Sequence, residues 1–509
     1  MKQYYKKRIN SICFHLATVL RIGGVLLFLP IFAGILWDDN FCFSPFLIAF
    51  LIPGSVTVIL GIILKKVTTS VPLSLRDSMF ICTISWVFLS LLGAIPYTII
   101  LPIHYLDAFF ETMSGFTTTG ITMFTDINTL PKSILFWRAL TQWIGGLGIL
   151  SMFIVLGFKG GAAANKIFSA ESHKVSLHKP FSGIFRTAKV LWTLYISFTI
   201  AETVMLRILG LNFFDALTHS FTTISTGGYS IYDNSIAYFR MAGFTHAHLI
   251  ELVILLFMIF GGINFLIHFR FWTGDIKSLW DNSEIRYYWF LLGTSILLIF
   301  IVYSYNNGWT YTDFNGEEII GFNALLFNVK DIAFQVISIL STTGYTTRDI
   351  GSSYFVPIAK QIFLIFMIIG GCAGSTGGGF KVLRITILNR LVGNRLFRLN
   401  ASRYSRIPLT VDGKIIDEKE IQSVLTLFFL WISLIIIGGM ITAIFSPHNS
   451  WQSFSGMFSA LGNIGPCYLS VSEIIALHPV VKLTYIFGML AGRLEILPVL
   501  LLFSRKFYK

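Results

Sequence analysis

The sequence DAFFETMSGFTTTG, residues 107–120, decides the fold because it recurs in altered form three more times along the chain. Stretches of the same length, each running from a polar residue to a glycine, are DALTHSFTTISTGG at 215–228, DIAFQVISILSTTG at 331–344 and QSFSGMFSALGNIG at 452–465. The closing glycines lie 108, 116 and 121 residues apart, so the repeated unit is larger than a short motif. Four copies predict four similar structural units arranged around one axis.

Composition fixes the class of protein. Of the 509 residues, 54% are hydrophobic and only 12% are charged, and the apolar stretches are long enough to cross a hydrocarbon layer of about 30 Å. The sequence therefore predicts an all-α polytopic membrane protein. The net charge of +13 would favour nucleic-acid binding in a soluble chain, but here its distribution indicates membrane topology, and no nucleic-acid partner is expected.

The predicted organisation is two N-terminal helices followed by four repeats, each a helix, a re-entrant pore loop and a returning helix, around a pseudo-fourfold pore. The expected units are residues 1–70 for the N-terminal pair, then 71–160, 161–275, 276–400 and 401–509 for the repeats. The expected spans, ten in all, cover 12–36 and 43–64, the outward helices 78–100, 184–209, 287–305 and 422–445, and the returning helices 133–158, 246–271, 356–391 and 472–503.

Basic residues concentrate in the segments between repeats and at both termini, while the opposite side is mostly acidic. By the positive-inside rule, this places both termini in the cytoplasm and the repeated motifs at the outer face. A helix of about eleven residues is roughly 16 Å long and reaches only halfway into the bilayer. Each motif is therefore predicted to be a half-helix whose C-terminal end, with its partial negative charge, points at the axis and stabilises a cation. The expected N-cap residues are Asp107, Asp215, Asp331 and, as a poorer cap, Gln452.

After each half-helix the chain must return as extended backbone, which survives at membrane depth only when protein buries it or water reaches it. Glycine lets successive carbonyl groups face one way, and four such loops can form a ring of oxygens that replaces the hydration shell of a monovalent cation. The alternative is that these glycines only ease helix packing. The predicted filter residues are Thr118, Thr119, Gly120, Thr226, Gly227, Gly228, Thr342, Thr343, Gly344, Asn463, Ile464 and Gly465.

A glycine run interrupts the third returning helix. Six of the ten residues from 370 to 379 are glycine, and each lowers helix stability by about 1 kcal/mol, so this segment is expected to unwind below the filter and act as a gate. The alternative is a glycine seam for close helix packing. The expected gating residues are Gly370, Gly371, Cys372, Gly374, Ser375, Thr376, Gly377, Gly378, Gly379 and Arg493.

Arg493 lies deep in the last helix, where a charge costs roughly 3 kcal/mol or more unless it faces water or a partner. It is expected to face the pore, to donate to carbonyl groups of the glycine loop in the closed state, and to form an electrostatic barrier to cations. The alternative is a static salt bridge with a buried acid such as Glu202 or Glu251.

Six segments together resemble the Trk/Ktr/HKT superfamily of cation transporters, and within it the Trk-type bacterial potassium uptake membrane subunits. They are ETMSGFTTTG at 111–120, FWRALTQWIGGLGI at 136–149, STTGYTT at 341–347, GGCAGSTGGGFK at 370–381, LGNIGP at 461–466 and GRLEIL at 492–497.

The resemblance implies K⁺ as the transported ion, because the position where serine accompanies sodium transport in plant relatives is Gly120 here. It also implies a gating loop within the membrane, and a homodimer in the bacterial cytoplasmic membrane resting on a cytoplasmic ring of nucleotide-binding regulatory subunits. The second loop departs from the pattern: Gly227 precedes Gly228, so its register is open by one residue.

Other function classes explain less of the sequence. A membrane enzyme would need a converging catalytic set, and none is visible; a voltage-gated channel would need arginines at every third position of a span, which no span has. Within the transporter class, a less selective K⁺ and Na⁺ channel or a Na⁺-preferring, HKT-like transporter remains the alternative to K⁺ uptake, and coupling to H⁺ or Na⁺ stays open.

Overall fold

The computed structural model describes residues 2–38, 45–69, 74–148, 184–313, 317–400 and 408–503. Within these ranges the chain is almost entirely helical, which confirms the predicted all-α class. Two small antiparallel hairpins, which the sequence pattern did not predict, connect helices: Thr310–Thr312 with Glu318–Ile320, and Thr410–Val411 with Lys414–Ile415.

The N-terminal pair contains three helices, Lys2–Leu26, Leu29–Trp37 and Pro45–Val67. The first predicted span is thus interrupted near residue 27, because Pro30 lies in the first turn of the second helix and has no N–H to continue the hydrogen-bond ladder. The first and third helices pack closely, with a Cβ added at Gly61 lying only 2.8 Å from the carbonyl oxygen of Ala17. Glycine allows this close approach of the two backbones.

Each repeat contains a first helix, a short helix and a return helix, in that order. The first helices are Leu75–Ile100, Ile184–Ile208, Ser283–Asn307 and Glu418–Phe445, and the short helices are Tyr105–Phe116, Phe213–Ile224, Phe322–Leu340 and Ser450–Gly462. The return helices are Lys132–Gly146, Ala247–Gly262 with Phe265–Trp272, Pro357–Ile369 with Val382–Leu399, and Pro479–Arg493 with Leu497–Leu501. Smaller helical turns are Ile127–Thr129, Ser235–Ala237, Tyr238–Met241, Ile276–Leu279 and Val471–Ile475.

Seven helices in the described part of the chain are long and apolar enough to cross a membrane, or eight if the bent pair Ala247–Gly262 and Phe265–Trp272 is one span. The ten predicted spans treated every return helix as continuous. Their first segments are 15, 16, 13 and 15 residues long, below the roughly 20 residues that a straight span needs. Phe158, the predicted end of the first return helix, lies outside the described residues. Most of the segment between the first two repeats, residues 159–189, also lies outside them.

The N-cap predictions are wrong. The short helices of repeats 1, 2 and 4 begin earlier, so that Asp107, Asp215 and Gln452 each occupy the third helical position. In repeats 2 and 4 the preceding asparagines, Asn212 and Asn449, provide the cap, accepting the backbone N–H of that third residue at 2.8 and 2.9 Å. A carboxylate in the first turn still complements the positive end of the helix dipole.

The fourth predicted cap, Asp331, lies inside a longer helix that begins at Phe322. Its carboxylate binds two arginines, with Arg240 Nη2 at 2.9 Å and Arg348 Nε at 3.1 Å. Asp331 therefore holds a buried ion-pair network on repeats 2 and 3 rather than a helix end.

Buried apolar side chains form two cores. One consists mainly of residues from the N-terminal helices and repeats 1 and 4, together with a few from repeats 2 and 3 such as Phe380 and Leu383, and the other consists mainly of residues from repeats 2 and 3. The long first helices instead expose large apolar side chains, such as Phe429 at 70% and Ile200 at 58%. This distribution fits helices that face lipid outward and enclose buried polar loops between the two cores.

Candidate functional site

The four loops that follow the short helices share one backbone conformation. Their first residues are all left-handed, with φ of 52° at Thr118, 52° at Thr226, 61° at Thr342 and 54° at Asn463. Two residues later, Gly120, Gly228, Gly344 and Gly465 have φ of 85°, 74°, 83° and 106°. Gly228 thus corresponds to the other three glycines, and Gly227 takes the middle position held elsewhere by Thr119, Thr343 and Ile464.

These glycines contact one another's loops in a closed cycle. A Cβ added at Gly120 would lie 2.3 Å from the carbonyl oxygen of Gly227, and one at Gly228 would lie 1.9 Å from that of Thr343. A Cβ added at Gly344 would lie 1.8 Å from the carbonyl oxygen of Ile464. One added at Gly465 would lie 2.9 Å from the carbonyl oxygen of Thr119, which closes the cycle. Each loop therefore meets the next through a backbone carbonyl with no room for a side chain, and the eight residues in these contacts are all among the twelve predicted filter residues.

Side chains support opposite loops in matching ways. In repeat 1 the hydroxyl groups of Thr117 and Thr119 lie 2.8 Å apart, and in repeat 3 those of Ser341 and Thr343 are also 2.8 Å apart. The fourth loop is tied to the first, because the side-chain amide of Asn463 donates to the Thr119 hydroxyl at 2.9 Å. The buried hydroxyl groups thus have partners and fix the loop backbone.

A buried ion pair joins the first two loops from behind. Arg138 Nε donates to Glu111 Oε1 at 2.8 Å, and the two side chains are 2% and 0% exposed. The guanidinium also donates to the Ser230 carbonyl at 3.0 Å and lies 4.2 Å from the Tyr229 ring centre. Glu111 in turn accepts the backbone N–H of Met123 at 2.6 Å. Removing either charge would leave the other buried without its partner.

The predicted interruption of the third return helix is confirmed: helix Pro357–Ile369 ends at the glycine run, and the next helix starts at Val382. The loop between them lies against the first residues of the ring loops. The Gly378 N–H donates to the Thr342 hydroxyl at 2.8 Å, and the Thr376 and Thr226 hydroxyls lie 3.3 Å apart. A Cβ added at Gly378 would lie 2.8 Å from that of Asn463.

Arg493 ends the first segment of the fourth return helix and binds four oxygens. Its guanidinium donates to the carbonyl of Thr376 in the glycine loop at 2.7 Å and to the Thr118 hydroxyl at 3.1 Å. It also donates to the carbonyls of Gly145 at 2.5 Å and Gly146 at 2.6 Å. The predicted contact between Arg493 and the glycine loop is present, and this side chain connects the loop to repeats 1 and 4.

The alternative salt bridge of Arg493 is not found among the described residues. Glu251 pairs instead with Arg240 at 2.5 Å and with Lys330 at 2.7 Å. Glu495 pairs with Arg384 at 2.7 Å. Both acids thus pair with other cations, and the four hydrogen bonds of Arg493 described above go to neutral oxygens.

The second return helix is bent, which its sequence pattern did not predict. Helices Ala247–Gly262 and Phe265–Trp272 meet at 104°, and the glycine loop lies in the bend, where Cys372 N–H donates to the Gly262 carbonyl at 2.9 Å. Asn264 caps the second helix by accepting the Leu266 N–H at 2.9 Å. The sequence did contain a signal for this bend, because Gly261 and Gly262 form a pair of adjacent glycines like those at 145–146 and 370–371 in two other return helices.

The fold and the site together define a polytopic membrane protein with four pore-loop repeats in a single chain. Residues 48–508 match the TrkH family of cation transport proteins, and the chain belongs to that family. It is 31% identical to the Trk system potassium uptake protein TrkH of Escherichia coli K12 over 440 residues, which are 85% of this chain and 86% of that protein.

Two further relatives extend over nearly the whole chain. An uncharacterized cation transporter of Methanocaldococcus jannaschii is 30% identical over 507 residues, covering 99% of this chain and 97% of the relative. The crystal structure of the potassium transporter TrkH from Vibrio parahaemolyticus superposes with a TM-score of 0.83 at 29% identity, covering 98% of this chain and 100% of the other. The fold is therefore shared along its full length.

Proposed function

We propose that this protein takes up K⁺ across the bacterial cytoplasmic membrane through a selectivity filter formed by the four ring loops. In this proposal the carbonyl groups of residues 118–120, 226–228, 342–344 and 463–465 replace the hydration shell of the ion. The short helices direct their C-terminal ends, with partial negative charge, toward the same ion. The similarity to the potassium uptake protein of Escherichia coli and to the potassium transporter of Vibrio parahaemolyticus supports K⁺ as the transported ion.

The observation that carries the proposal is the closed cycle of contacts between each glycine and the next loop's carbonyl. Helix packing alone would place small residues against separate neighbours, pair by pair. In the cycle, an added Cβ at each of four glycines from different repeats would instead lie between 1.8 and 2.9 Å from a carbonyl oxygen of the next loop. Such a ring has the backbone oxygens that a dehydrated monovalent cation needs.

We propose further that the glycine loop and Arg493 form a closed gate beneath this filter. The supporting contacts are those of Gly378 with Thr342, of Thr376 with Thr226 and of Arg493 with Thr118, because each joins the loop or the arginine to the first residue of a filter loop. An ion that leaves the filter inward would meet the loop and a positive charge. Opening requires the loop to move and Arg493 to release the Thr376 carbonyl.

The remaining parts of the proposal concern topology and assembly. Both termini lie in the cytoplasm, the chain forms a homodimer, and a cytoplasmic ring of nucleotide-binding regulatory subunits controls the gate. The proposed units are the N-terminal pair, residues 1–70, and the repeats 71–160, 161–275, 276–400 and 401–509. The basic segments between repeats support this orientation through the positive-inside rule.

Uptake of a rubidium tracer into proteoliposomes containing the purified full chain tests the function. We expect uptake driven by an outward K⁺ gradient, competition by external K⁺, and much weaker competition by Na⁺. Equal competition by the two ions would favour a non-selective channel, and stronger competition by Na⁺ would favour the Na⁺-preferring alternative. Gly120→Ser should weaken K⁺ preference, with Gly393→Ser as the matched control, because Gly393 has no atom within 4 Å of an added Cβ.

A further inference from the structure

The second ring loop lacks a side chain at its middle position. Loops 2 and 3 read STGGY at 225–229 and STTGY at 341–345, so Gly227 stands where the third loop has Thr343. Ser225 and Ser341 have the same environment, each donating its hydroxyl to a carbonyl three residues earlier at 3.3 Å. In loop 3 the Ser341 hydroxyl also pairs with Thr343, and in loop 2 that partner is missing.

A glutamine from another repeat fills the vacant place. A Cβ added at Gly227 would lie 2.3 Å from Cδ, 2.4 Å from Oε1 and 2.8 Å from Nε2 of Gln142, which belongs to the return helix of repeat 1. Gln142 is itself fully buried. The left-handed φ values of this loop fall on Thr226 and Gly228, so the backbone at Gly227 would accept a side chain. The three atoms nearest to such a Cβ all belong to the glutamine.

The glutamine amide also hydrogen-bonds the backbone of loop 2 on both sides of Gly228. Its Nε2 donates to the Gly227 carbonyl at 2.6 Å, and its Oε1 accepts the Tyr229 N–H at 3.0 Å. Both bonds require the same orientation of the amide, which fixes that orientation. Among the described residues, Gly227 is the one middle-position carbonyl of the four that accepts a hydrogen bond from a side chain.

We propose that Gln142 is a positioning residue of the filter that takes the place of the missing side chain at Gly227 and sets the ion preference of the second loop. The inference rests on the proposed K⁺ filter. By donating to the Gly227 carbonyl, the amide holds that oxygen in the ring and weakens its field toward the ion. By accepting from Tyr229, it fixes the loop on the outer side of Gly228.

A double-mutant cycle between Gln142 and Gly227 tests this pairing. Gly227→Thr recreates the loop 3 sequence, but its Cβ meets the glutamine, so we expect rubidium uptake to fall at least about tenfold. Gln142→Ala removes two buried hydrogen bonds, and the preference for K⁺ over Na⁺ should fall about fivefold to tenfold. In the combined variant the threonine has room and can pair with Ser225, so uptake should return to within about threefold of wild type.

Folding is followed in parallel by the yield of monodisperse protein in detergent. If Gly227→Thr gives no folded protein, recovery of folded yield on adding Gln142→Ala supports the pairing, and failure to recover overturns it. Gln142→Met keeps the length of the side chain and removes both hydrogen bonds. It should lower the K⁺ over Na⁺ preference without loss of folded protein, whereas a purely structural residue would change yield and leave the preference intact.

Wild-type proteoliposomes separate this inference from the function on which it rests. If the wild-type chain shows no rubidium uptake, the proposed function fails. If it takes up rubidium while Gln142→Met and Gln142→Ala keep the wild-type ion preference, or the combined variant is no better than Gly227→Thr, the filter stands and the role of Gln142 is wrong.

Discussion

Replacing Arg493 with alanine is expected to open the gate in the absence of any regulatory partner. In the structure, which we propose to be the closed state, Arg493 joins the glycine loop, through Thr376, to the end of the first return helix, through Gly145 and Gly146. The loop cannot leave without breaking at least the bond to Thr376. A hydrogen bond from a charged group contributes about 1.5–3 kcal/mol, and each 1.4 kcal/mol is about a tenfold change in population.

The expected result is a rise in basal rubidium uptake of about tenfold to a hundredfold, limited by the maximum rate of the open protein. Removal of the charge acts in the same direction, since a cation about 8 Å from the guanidinium meets roughly 2 kcal/mol of repulsion at an effective dielectric constant near 20. Uptake into proteoliposomes without regulatory subunits, normalised to the amount of protein incorporated, measures both effects together.

Two control variants separate two proposed effects of Arg493. One effect, called the latch, is the set of hydrogen bonds that hold the glycine loop in place; the other is the electrostatic barrier from the positive charge. Arg493→Lys keeps the positive charge, but the lysine ammonium cannot bind the four acceptors that the planar guanidinium binds. It should therefore weaken the latch and retain most of the barrier. Arg207→Ala removes an exposed arginine in the last turn of the first helix of repeat 2, whose guanidinium donates to the Leu211 carbonyl at 2.8 Å, and it should leave basal uptake unchanged. Wild-type uptake in Arg493→Ala, with and without the regulatory partner, would refute the gate assignment.

Two more predictions concern the ring and its support. Gly344→Ala places a Cβ 1.8 Å from a carbonyl oxygen of the neighbouring loop, whereas Gly465→Ala places one at 2.9 Å. Rubidium uptake should therefore fall more in Gly344→Ala than in Gly465→Ala. The difference should be about tenfold, for an extra 1–2 kcal/mol of overpacking. Arg138→Met leaves Glu111 buried without its partner and should lower the free energy of unfolding by about 3–5 kcal/mol, measured by thermal unfolding in detergent.

The controls for these two predictions use sites with open surroundings. Gly393→Ala meets no atom within 4 Å and should leave uptake unchanged, and equal loss in the two ring variants would contradict the contact geometry. Arg270→Ala breaks an ion pair whose members are 36% and 39% exposed, and it should barely alter thermal unfolding. Adding Glu111→Gln to Arg138→Met should recover part of the lost stability, since the unpaired charge is then removed.

The sequence was sufficient to predict the helix–loop–helix repeats, the glycines through which the four loops meet, and the interrupted third return helix, because these depend on glycine and on hydrophobic length, which a single chain displays directly. The starts of the short helices were misplaced, since Asn212 and Asn449 lie outside the repeated stretch and cap the helix three residues earlier. The register of loop 2 needed backbone angles, because two adjacent glycines look alike in sequence.

Long-range partners were beyond the reach of the sequence pattern. Gln142 lies 85 residues from Gly227, and Arg493 lies 348 residues from Gly145, so no local spacing relates either pair. The contact of Arg493 with a carbonyl of the glycine loop was predicted, with an acid as the alternative partner, but its bonds to the carbonyls of Gly145 and Gly146 at the end of the first return helix were not. A periodicity argument gives no information about such carbonyl groups.

Because the ring of loops closes within one polypeptide, a mutation alters one quarter of it and leaves three quarters intact, unlike the same change in an assembly of four identical subunits. Each loop can therefore change its sequence separately. The second loop, with Gly227, and the fourth loop, with Asn463, already differ from the other two. In the proposed homodimer each protomer would conduct alone, so a dimer with one blocked protomer should keep about half of its flux.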